Sequence, residues 1–189
     1  MTAKQEIRLA GFGGQGIILS GHILGKAASL FDKKNAVFTQ SYGPEARGGS
    51  CSADVVVSDD AIHYPKVSVP HVLVLMSQGA LATYGNTLRA GGTLIIDEDL
   101  VNLPEDPPEL TVYRVPSTRM AEELGKRIVA NIVMLGAVAA LGRVVEYESL
   151  KQAVLASIPS GTEELNISAF DKGYEYGKGL LEGVNRESP

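Results

Sequence analysis

Six residues near the amino terminus, Gly11 to Gly16, have the types and spacing needed to cradle a phosphate. They spell GFGGQG, so Gly11, Gly13 and Gly16 complete a G-x-G-x-x-G pattern that also contains Gly14 and Gln15. Glycines let the backbone approach a ligand closely, and free N–H groups at the start of a following helix attract an anion. The pattern lies between a predicted strand and a predicted helix, which is the setting of a nucleotide-binding loop. We therefore expect an anionic group such as a pyrophosphate to bind there.

A second glycine-rich segment, residues 41–49, carries side chains suited to binding. It spells SYGPEARGG and follows directly after a predicted strand, at the edge where open α/β sheets bind ligands. The Arg47 guanidinium can form paired hydrogen bonds to a phosphate or carboxylate, and the Glu45 carboxylate can orient the guanidinium. We favour a binding loop over a salt-bridged surface loop. The candidate binding residues in this segment are Ser41, Tyr42, Gly43, Glu45, Arg47, Gly48 and Gly49.

The first glycine loop is open to other interpretations. An NAD-dependent dehydrogenase usually presents an Asp or Glu about 20 residues after such a loop, to hold the ribose hydroxyls. Here the second predicted strand ends in Thr39-Gln40-Ser41, which supplies no carboxylate and disfavours NAD. A tight turn that merely packs the helix on the sheet also fits the pattern, because G-x-G-x-x-G alone is a weak signal.

The order of apolar runs predicts an α/β fold with a doubly wound, mostly parallel sheet and helices on both faces, formed by residues 1–189 as a single domain. An antiparallel hairpin is expected between the strand at 52–58 and residues 61–64. The long helical pattern after Ser117 should break near Gly125. The predicted strands are 6–10, 36–39, 52–58, 71–76, 93–97 and 110–115, and the predicted helices are 17–31, 77–89, 117–141, 146–157 and 162–181.

Composition disfavours several classes of function. The net charge of -5, with no basic stripe, argues against nucleic-acid binding. A single cysteine, Cys51, cannot form an internal disulfide or hold an iron-sulfur cluster, and three scattered histidines predict no metal site. The amino terminus lacks the apolar run of a secretory signal, and the longest oily stretch, 128–141, is shorter than the roughly 20 residues that span a bilayer. We expect a cytoplasmic protein without a membrane segment.

Together, GFGGQG at 11–16 and SYGPEARGG at 41–49 resemble the gamma-subunit family of 2-oxoacid:ferredoxin oxidoreductases. The resemblance extends over nearly the whole chain, because NIVMLGA at 131–137 is similar to a later helix of that family. The second motif is most similar to the 2-oxoglutarate branch. The pair of motifs is far more specific than either motif alone.

The resemblance implies a multi-subunit enzyme that decarboxylates a 2-oxoacid on thiamine diphosphate, passes electrons through iron-sulfur clusters to ferredoxin, and gives the acyl group to coenzyme A. It implies no catalytic residue on this chain. Thiamine diphosphate, magnesium and the clusters would belong to alpha, beta and ferredoxin-like delta subunits. This chain would shape the coenzyme A side or a subunit contact, with the first loop lining a cleft and Tyr42, Glu45 and Arg47 beside it.

The main alternative is a free-standing nucleotide-binding or sensor module, which the same strand–loop–helix unit can support. The identity of the 2-oxoacid, the subunit stoichiometry and the electron acceptor stay open at this point. Every version of the site requires that residues 11–16 and 41–49 meet at one edge of the sheet. We expect them to lie side by side.

Overall fold

A computed structural model describes residues 4–43 and 49–187, in which six strands form one sheet of order β2-β3-β1-β4-β5-β6. The strands are β1 (Gln5–Phe12), β2 (Asn35–Tyr42), β3 (Ser50–Ser58), β4 (Val72–Leu75), β5 (Thr93–Asp97) and β6 (Thr111–Val115). The helices are α1 (Ile17–Lys26), α2 (Gln78–Tyr84), α3 (Ser117–Glu123), α4 (Ala130–Leu141), α5 (Tyr147–Leu155) and α6 (Glu163–Glu187). A π-helical turn, Ala27–Phe31, extends α1, and short 3₁₀ turns follow α2 and precede α4.

The sheet is mostly parallel, as predicted. β1, β4, β5 and β6 pair in parallel, whereas β3 lies antiparallel between β1 and β2. β2 therefore runs in the same direction as β1, and β3 alone among these six strands is reversed. The predicted β-α-β unit formed by β1, α1 and β2 has the expected direction, but a third strand separates its two strands.

The predicted hairpin between 52–58 and 61–64 is wrong. Both edges of β3 are already occupied, one by β1 and the other by β2, so no edge is left for a further strand. The segment after β3 instead crosses one face of the sheet. Val67 is buried there, and its carbonyl accepts a hydrogen bond from the Arg8 guanidinium at 2.8 Å.

Helices cover both faces of the sheet, as predicted, but unequally. The apolar run of β4 is continuous because Val72 and Val74 enter the core under α1, α3, α4, α5 and α6, whereas Leu73 and Leu75 enter a smaller core under α2. Ala80 of α2 belongs to that smaller core. The large core therefore lies on the face that carries five helices.

The helix α4 is the centre of the large core. All twelve of its residues are buried, so it is apolar around its whole circumference. The predicted break before it is confirmed: Gly125 has a positive φ of 84°, which ends α3 and turns the chain toward α4. None of the helices in the described ranges is both long enough and apolar enough to cross a membrane.

The single cysteine is a core residue. Cys51 lies in β3, is 4% exposed, and points toward α1. Burial raises the pKa of its thiol, which keeps it in the unreactive protonated form. Over residues 4–43 and 49–187, no group of three or more His, Cys, Asp or Glu side chains is arranged to hold a metal ion.

Candidate functional site

The carboxyl ends of β1 and β4 form a topological switch point. β1 leads into α1 on the heavily covered face, and its parallel neighbour β4 leads into α2 on the opposite face. The segments that follow β1 and β4 therefore leave the sheet in opposite directions, and a crevice opens between them at the strand ends. Ligands of open α/β sheets bind in such crevices.

The first glycine loop forms the turn from β1 into this crevice. The Gln15 N–H donates to the Phe12 carbonyl at 3.1 Å, and Gly14 and Gly16 have positive φ angles of 98° and 74°. A Cβ on Gly16 would overlap the Asn131 side chain, whose Nδ2 lies 3.4 Å from the Gly16 carbonyl. Gly16 is therefore required both for its backbone angle and for the close approach of α4.

The Gln15 side chain spans the switch point. Its Oε1 accepts the Phe12 N–H at 2.6 Å, and its Nε2 donates to the Met76 carbonyl at 2.7 Å. Phe12 ends β1 and Met76 follows β4, so one amide joins the tips of two neighbouring strands. A Cβ on Gly11 would lie 2.5 Å from Oε1, so Gly11 makes room for this bridge.

The two glycine loops lie side by side, as expected. The Gly13 N–H donates to the Gly49 carbonyl at 2.9 Å, and the Gly43 N–H donates to the Ser50 carbonyl at 2.7 Å. The second loop is thus the connection of the β2–β3 hairpin, placed next to the first loop because β3 pairs with β1. The meeting of the loops is confirmed, whereas their role in binding stays a prediction.

The predicted residues of the second loop are described in part. Ser41 and Tyr42 end β2 and point to opposite faces of the sheet, and the Tyr42 side chain is 64% exposed. Glu45, Arg47 and Gly48 lie outside the described residues. Among the described residues of this loop, the groups available to a ligand therefore include backbone groups and the exposed Tyr42 ring.

A cleft of ≈ 280 Å³ opens beside the first loop, on the side toward α3 and α4. The guanidinium of Arg127 projects beside it, and the Arg127 side chain is 65% exposed with its Nε 3.7 Å from Glu122. None of the described residues of the second loop lines this cleft. Its lining residues are Gly14, Gln15, Met76, Leu100, Thr118, Arg127, Ile128 and Ala130.

A buried carboxylate fixes the far wall of the cleft. Asp97, at the end of β5, is fully buried and accepts hydrogen bonds from the Thr118 N–H at 3.0 Å and the Thr118 hydroxyl at 2.8 Å. It also accepts from the Ser117 hydroxyl and from the Asp99 N–H. Asp97 thus bonds the free Thr118 N–H at the start of α3, and Asp99 accepts the next one, from Arg119, at 3.2 Å.

The cleft is suited to binding an anion. The amino end of α4 lines it through Ala130, the α1 amino end follows Gly16, and helix amino ends carry partial positive charge. Arg127 adds a full positive charge that can form paired hydrogen bonds to a phosphate. The amide, hydroxyl, guanidinium and backbone N–H groups around the cleft can all form hydrogen bonds to such an anion.

Several residues that line or support the cleft were not predicted as site residues. Asn131 entered the sequence analysis only as the first residue of the NIVMLGA segment, and Arg127 and Asp97 were not singled out. The useful signal was the helix break at Gly125, since a turn between two helices at a sheet edge places its side chains over the strand tips. Asp97 gave a second signal, because it is a carboxylate at the end of a buried apolar strand.

We expect Gln15→Glu to lower the free energy of unfolding by about 1–3 kcal/mol, because its second oxygen would face the Met76 carbonyl and no donor would remain there. Urea unfolding of the chain, followed by circular dichroism, measures the effect. Gln152→Glu on the exposed surface of α5 is the matched control and should change stability by less than about 0.5 kcal/mol. Equal stabilities of the two variants would contradict the bridging role.

The fold and the cleft define a class of protein, an α/β domain with a cleft at the switch point of its sheet. Comparison with known proteins then specifies it. Residues 6–176 match the model of the pyruvate ferredoxin/flavodoxin oxidoreductase family. The chain is 54% identical to the 2-oxoglutarate synthase subunit KorC of Methanocaldococcus jannaschii, over 94% of this chain and 96% of that relative.

Two further comparisons agree. The crystal structure of the gamma subunit of a keto/oxoacid ferredoxin oxidoreductase from Geobacter sulfurreducens PCA superposes with a TM-score of 0.81 at 42% identity, covering 92% of this chain and 98% of that one. The ketoisovalerate oxidoreductase subunit VorA of Methanothermobacter marburgensis is 32% identical over 94% of this chain but only 37% of its own length. The chain belongs to the pyruvate ferredoxin/flavodoxin oxidoreductase family, as a gamma-type subunit.

Proposed function

We propose that this chain is the subunit that forms the coenzyme A side of a 2-oxoglutarate:ferredoxin oxidoreductase. The observation that carries the proposal is the cleft at the switch point, where Arg127 and the amino end of α4 face the first glycine loop. Coenzyme A carries a pyrophosphate and a ribose phosphate, and such groups suit a guanidinium and helix amino ends. β2 has no carboxylate at its end, where an NAD-dependent enzyme holds the ribose, which also favours a ligand other than NAD.

The choice of 2-oxoglutarate rests on relatives. The curated relatives named 2-oxoglutarate synthase subunit KorC include the 54% identical one, whereas the ketoisovalerate relative is 32% identical. Ferredoxin as the electron acceptor follows from the name of the gamma subunit that superposes on this chain. Location in the cytoplasm remains a prediction.

The redox groups belong on partner subunits in this proposal. An iron-sulfur cluster of the common type needs four thiolates, and this chain has one cysteine, which is buried in β3. The clusters would therefore be held by the alpha, beta and delta subunits, and thiamine diphosphate with its magnesium would be held there too, because this chain contains no G-D-G motif for that cofactor. This chain would hold and orient the acyl acceptor next to them.

The test is Arg127→Gln in the complex assembled with its alpha, beta and delta subunits. We expect the KM for coenzyme A to rise about tenfold or more, since a charge-assisted contact to phosphate is lost, while the KM for 2-oxoglutarate changes little. Steady-state kinetics with ferredoxin or an artificial acceptor measures both constants. Arg47→Ala in the second loop should likewise weaken coenzyme A binding or change the subunit stoichiometry.

Arg89→Gln is the matched control, because Arg89 is exposed at the opposite, amino-terminal edge of the sheet. If Arg127→Gln and Arg89→Gln have the same KM for coenzyme A, the cleft does not bind it. If the chain purifies as a stable monomer that binds an adenine nucleotide and joins no complex, the free-standing module is correct instead.

A further inference from the structure

The outer edge of β2 is long and lacks the usual protection of an edge strand. β2 is the outermost strand of the sheet, and its eight residues include no charged residue and no proline. Its pairing with β3 runs residue for residue without a bulge. Monomeric proteins usually protect such edges with charges, prolines or bulges, because an open edge pairs readily with another strand.

The opposite edge of the sheet differs. β6 has only five residues and includes Arg114, whose guanidinium pairs with Asp106 at 2.6 Å. A short strand with a charged residue is a poor template for pairing. The two edges of one sheet therefore have opposite characters, and β2 is the edge suited to receive a further strand.

The hydrogen-bonding pattern identifies the groups that are available. The Gly43 N–H donates to the Ser50 carbonyl, and strand residues alternate in the side to which they point their backbone groups. Odd-numbered residues of β2 therefore bond to β3. Within the described ranges, the N–H and C=O groups of the even-numbered residues face away from the sheet without a strand partner. These residues are Ala36, Phe38, Gln40 and Tyr42.

A groove of ≈ 320 Å³ lies beside the same edge, between β2 and the end of α1. Ala36 and Phe38 line it from the strand, and the Leu30 side chain, 54% exposed, lines it from the π-helical turn. Side chains of an added strand alternate between the two faces. Every second side chain would therefore enter this groove.

We propose that β2 and this groove receive an extended segment of another subunit of the complex, which adds a seventh strand to the sheet. The segment has apolar side chains at alternate positions and a carboxylate near Lys26. This inference rests on the proposed function, since it names the surface by which the chain joins its complex. The chemistry is that of strand addition, in which backbone bonds give affinity and the groove gives selectivity.

Charge favours a different subunit over a second copy of this chain. The described groove lining contains Lys26 and His22 and no carboxylate, in a chain whose net charge is -5. The Lys26 ammonium is held at the groove by the Ala156 carbonyl at 2.7 Å. A two-fold pairing of β2 with itself would bring two such positive grooves together, whereas an acidic segment would complement one.

The relatives add an independent argument for another subunit. The ketoisovalerate subunit VorA contains a region similar to this chain as 37% of a longer polypeptide. A similar domain therefore occurs joined to additional protein in VorA and as nearly the whole of the KorC subunit of Methanocaldococcus jannaschii, 96% of which is covered. A subunit that is a separate chain needs a non-covalent contact surface in place of the peptide bond that joins the region to the rest of VorA.

The test compares Gln40→Pro with Gln40→Ala in co-expression with the other subunits. Proline removes one outward N–H and leaves the bonds between β2 and β3 intact, and edge strands tolerate proline at such positions. We expect Gln40→Pro to reduce the amount recovered with the alpha and beta subunits by about tenfold or more, and Gln40→Ala to assemble like wild type. Unchanged assembly of Gln40→Pro would overturn the inference and leave the proposed function standing.

Hydrogen exchange of the wild-type chain covers the case in which Gln40→Pro fails to fold. Exchange in residues 35–42 should slow on assembly, because the four outward amides gain partners. Equal exchange in the free and assembled chain would overturn the inference. If a wild-type homodimer slows exchange at the same amides, the added strand comes from a second copy of this chain, and the inference of another subunit is overturned. If the wild-type chain joins no complex, the proposed function is overturned as well.

Discussion

Replacing Gly136 with alanine should lower the free energy of unfolding by about 3 kcal/mol. α4 and α6 meet through Gly136 and Gly173, and a Cβ on Gly136 would overlap the backbone of Phe170, including its carbonyl oxygen. A Cβ on Gly173 would overlap the Val133 carbonyl in the same way. Rigid backbone cannot yield as a flexible side chain does, so the two helices would have to separate and leave the core loosely packed.

Gly179→Ala provides the matched control. Gly179 lies on the same helix α6, but a Cβ added there meets nothing within 4 Å. Alanine at an exposed helical position is favoured over glycine by about 0.5–1 kcal/mol, so this variant should be more stable than wild type. Thermal and urea unfolding measure both variants, and a stabilised Gly136→Ala would show that α4 and α6 are not in such close contact.

The second large effect is expected at the Arg8–Asp54 pair. The Arg8 guanidinium on β1 donates two hydrogen bonds of 2.7 Å to the two carboxylate oxygens of Asp54 on β3. The Arg8 side chain is 11% exposed and the Asp54 side chain 13%. The Asp54 carboxylate raises the pKa of Arg8, and the guanidinium also lies 5.0 Å from the ring centre of Tyr84. Asp54→Ala leaves a buried positive charge unpaired and should cost about 3–5 kcal/mol of stability.

The double variant Arg8→Met with Asp54→Leu separates charge from packing. It removes both charges and fills similar volume, and such exchanges are often neutral or stabilising. It should therefore recover most of the stability that Asp54→Ala loses, as measured by urea unfolding. A double variant as unstable as Asp54→Ala would mean that packing around the pair, rather than the unpaired charge, dominates.

Local patterns predicted the elements of this fold well. Continuous apolar runs located β4 and β5, and Gly125 located the break before α4. The position of β3 could not be predicted in the same way, because its valines fit equally well beside a following segment or between β1 and β2. The pairing of β3 is decided by which edges are available, and that is a property of the whole sheet.

The candidate site likewise combines residues that a local motif predicts with residues that only the folded chain brings together. The glycines and Gln15 are visible in the sequence as a motif, but the bridge from Gln15 to the Met76 carbonyl joins residues 61 positions apart. Arg127 lines the cleft, and Asn131 and Asp97 support its walls, only because α3 and α4 return to the strand tips. Contacts of this kind leave no periodic pattern in the sequence, so they can be identified only in the folded structure.

The contacts of the first glycine loop also set the moment at which it can be completed during synthesis. The Gly16 carbonyl receives the amide of Asn131, which is 115 residues farther along the chain. A nascent polypeptide with only its amino-terminal half outside the ribosome thus has the motif and the Met76 carbonyl that Gln15 bonds, but it lacks the Asn131 amide. The first glycine loop should therefore reach its final shape only after α4 has been synthesised, and a product truncated before α4 would lack that support.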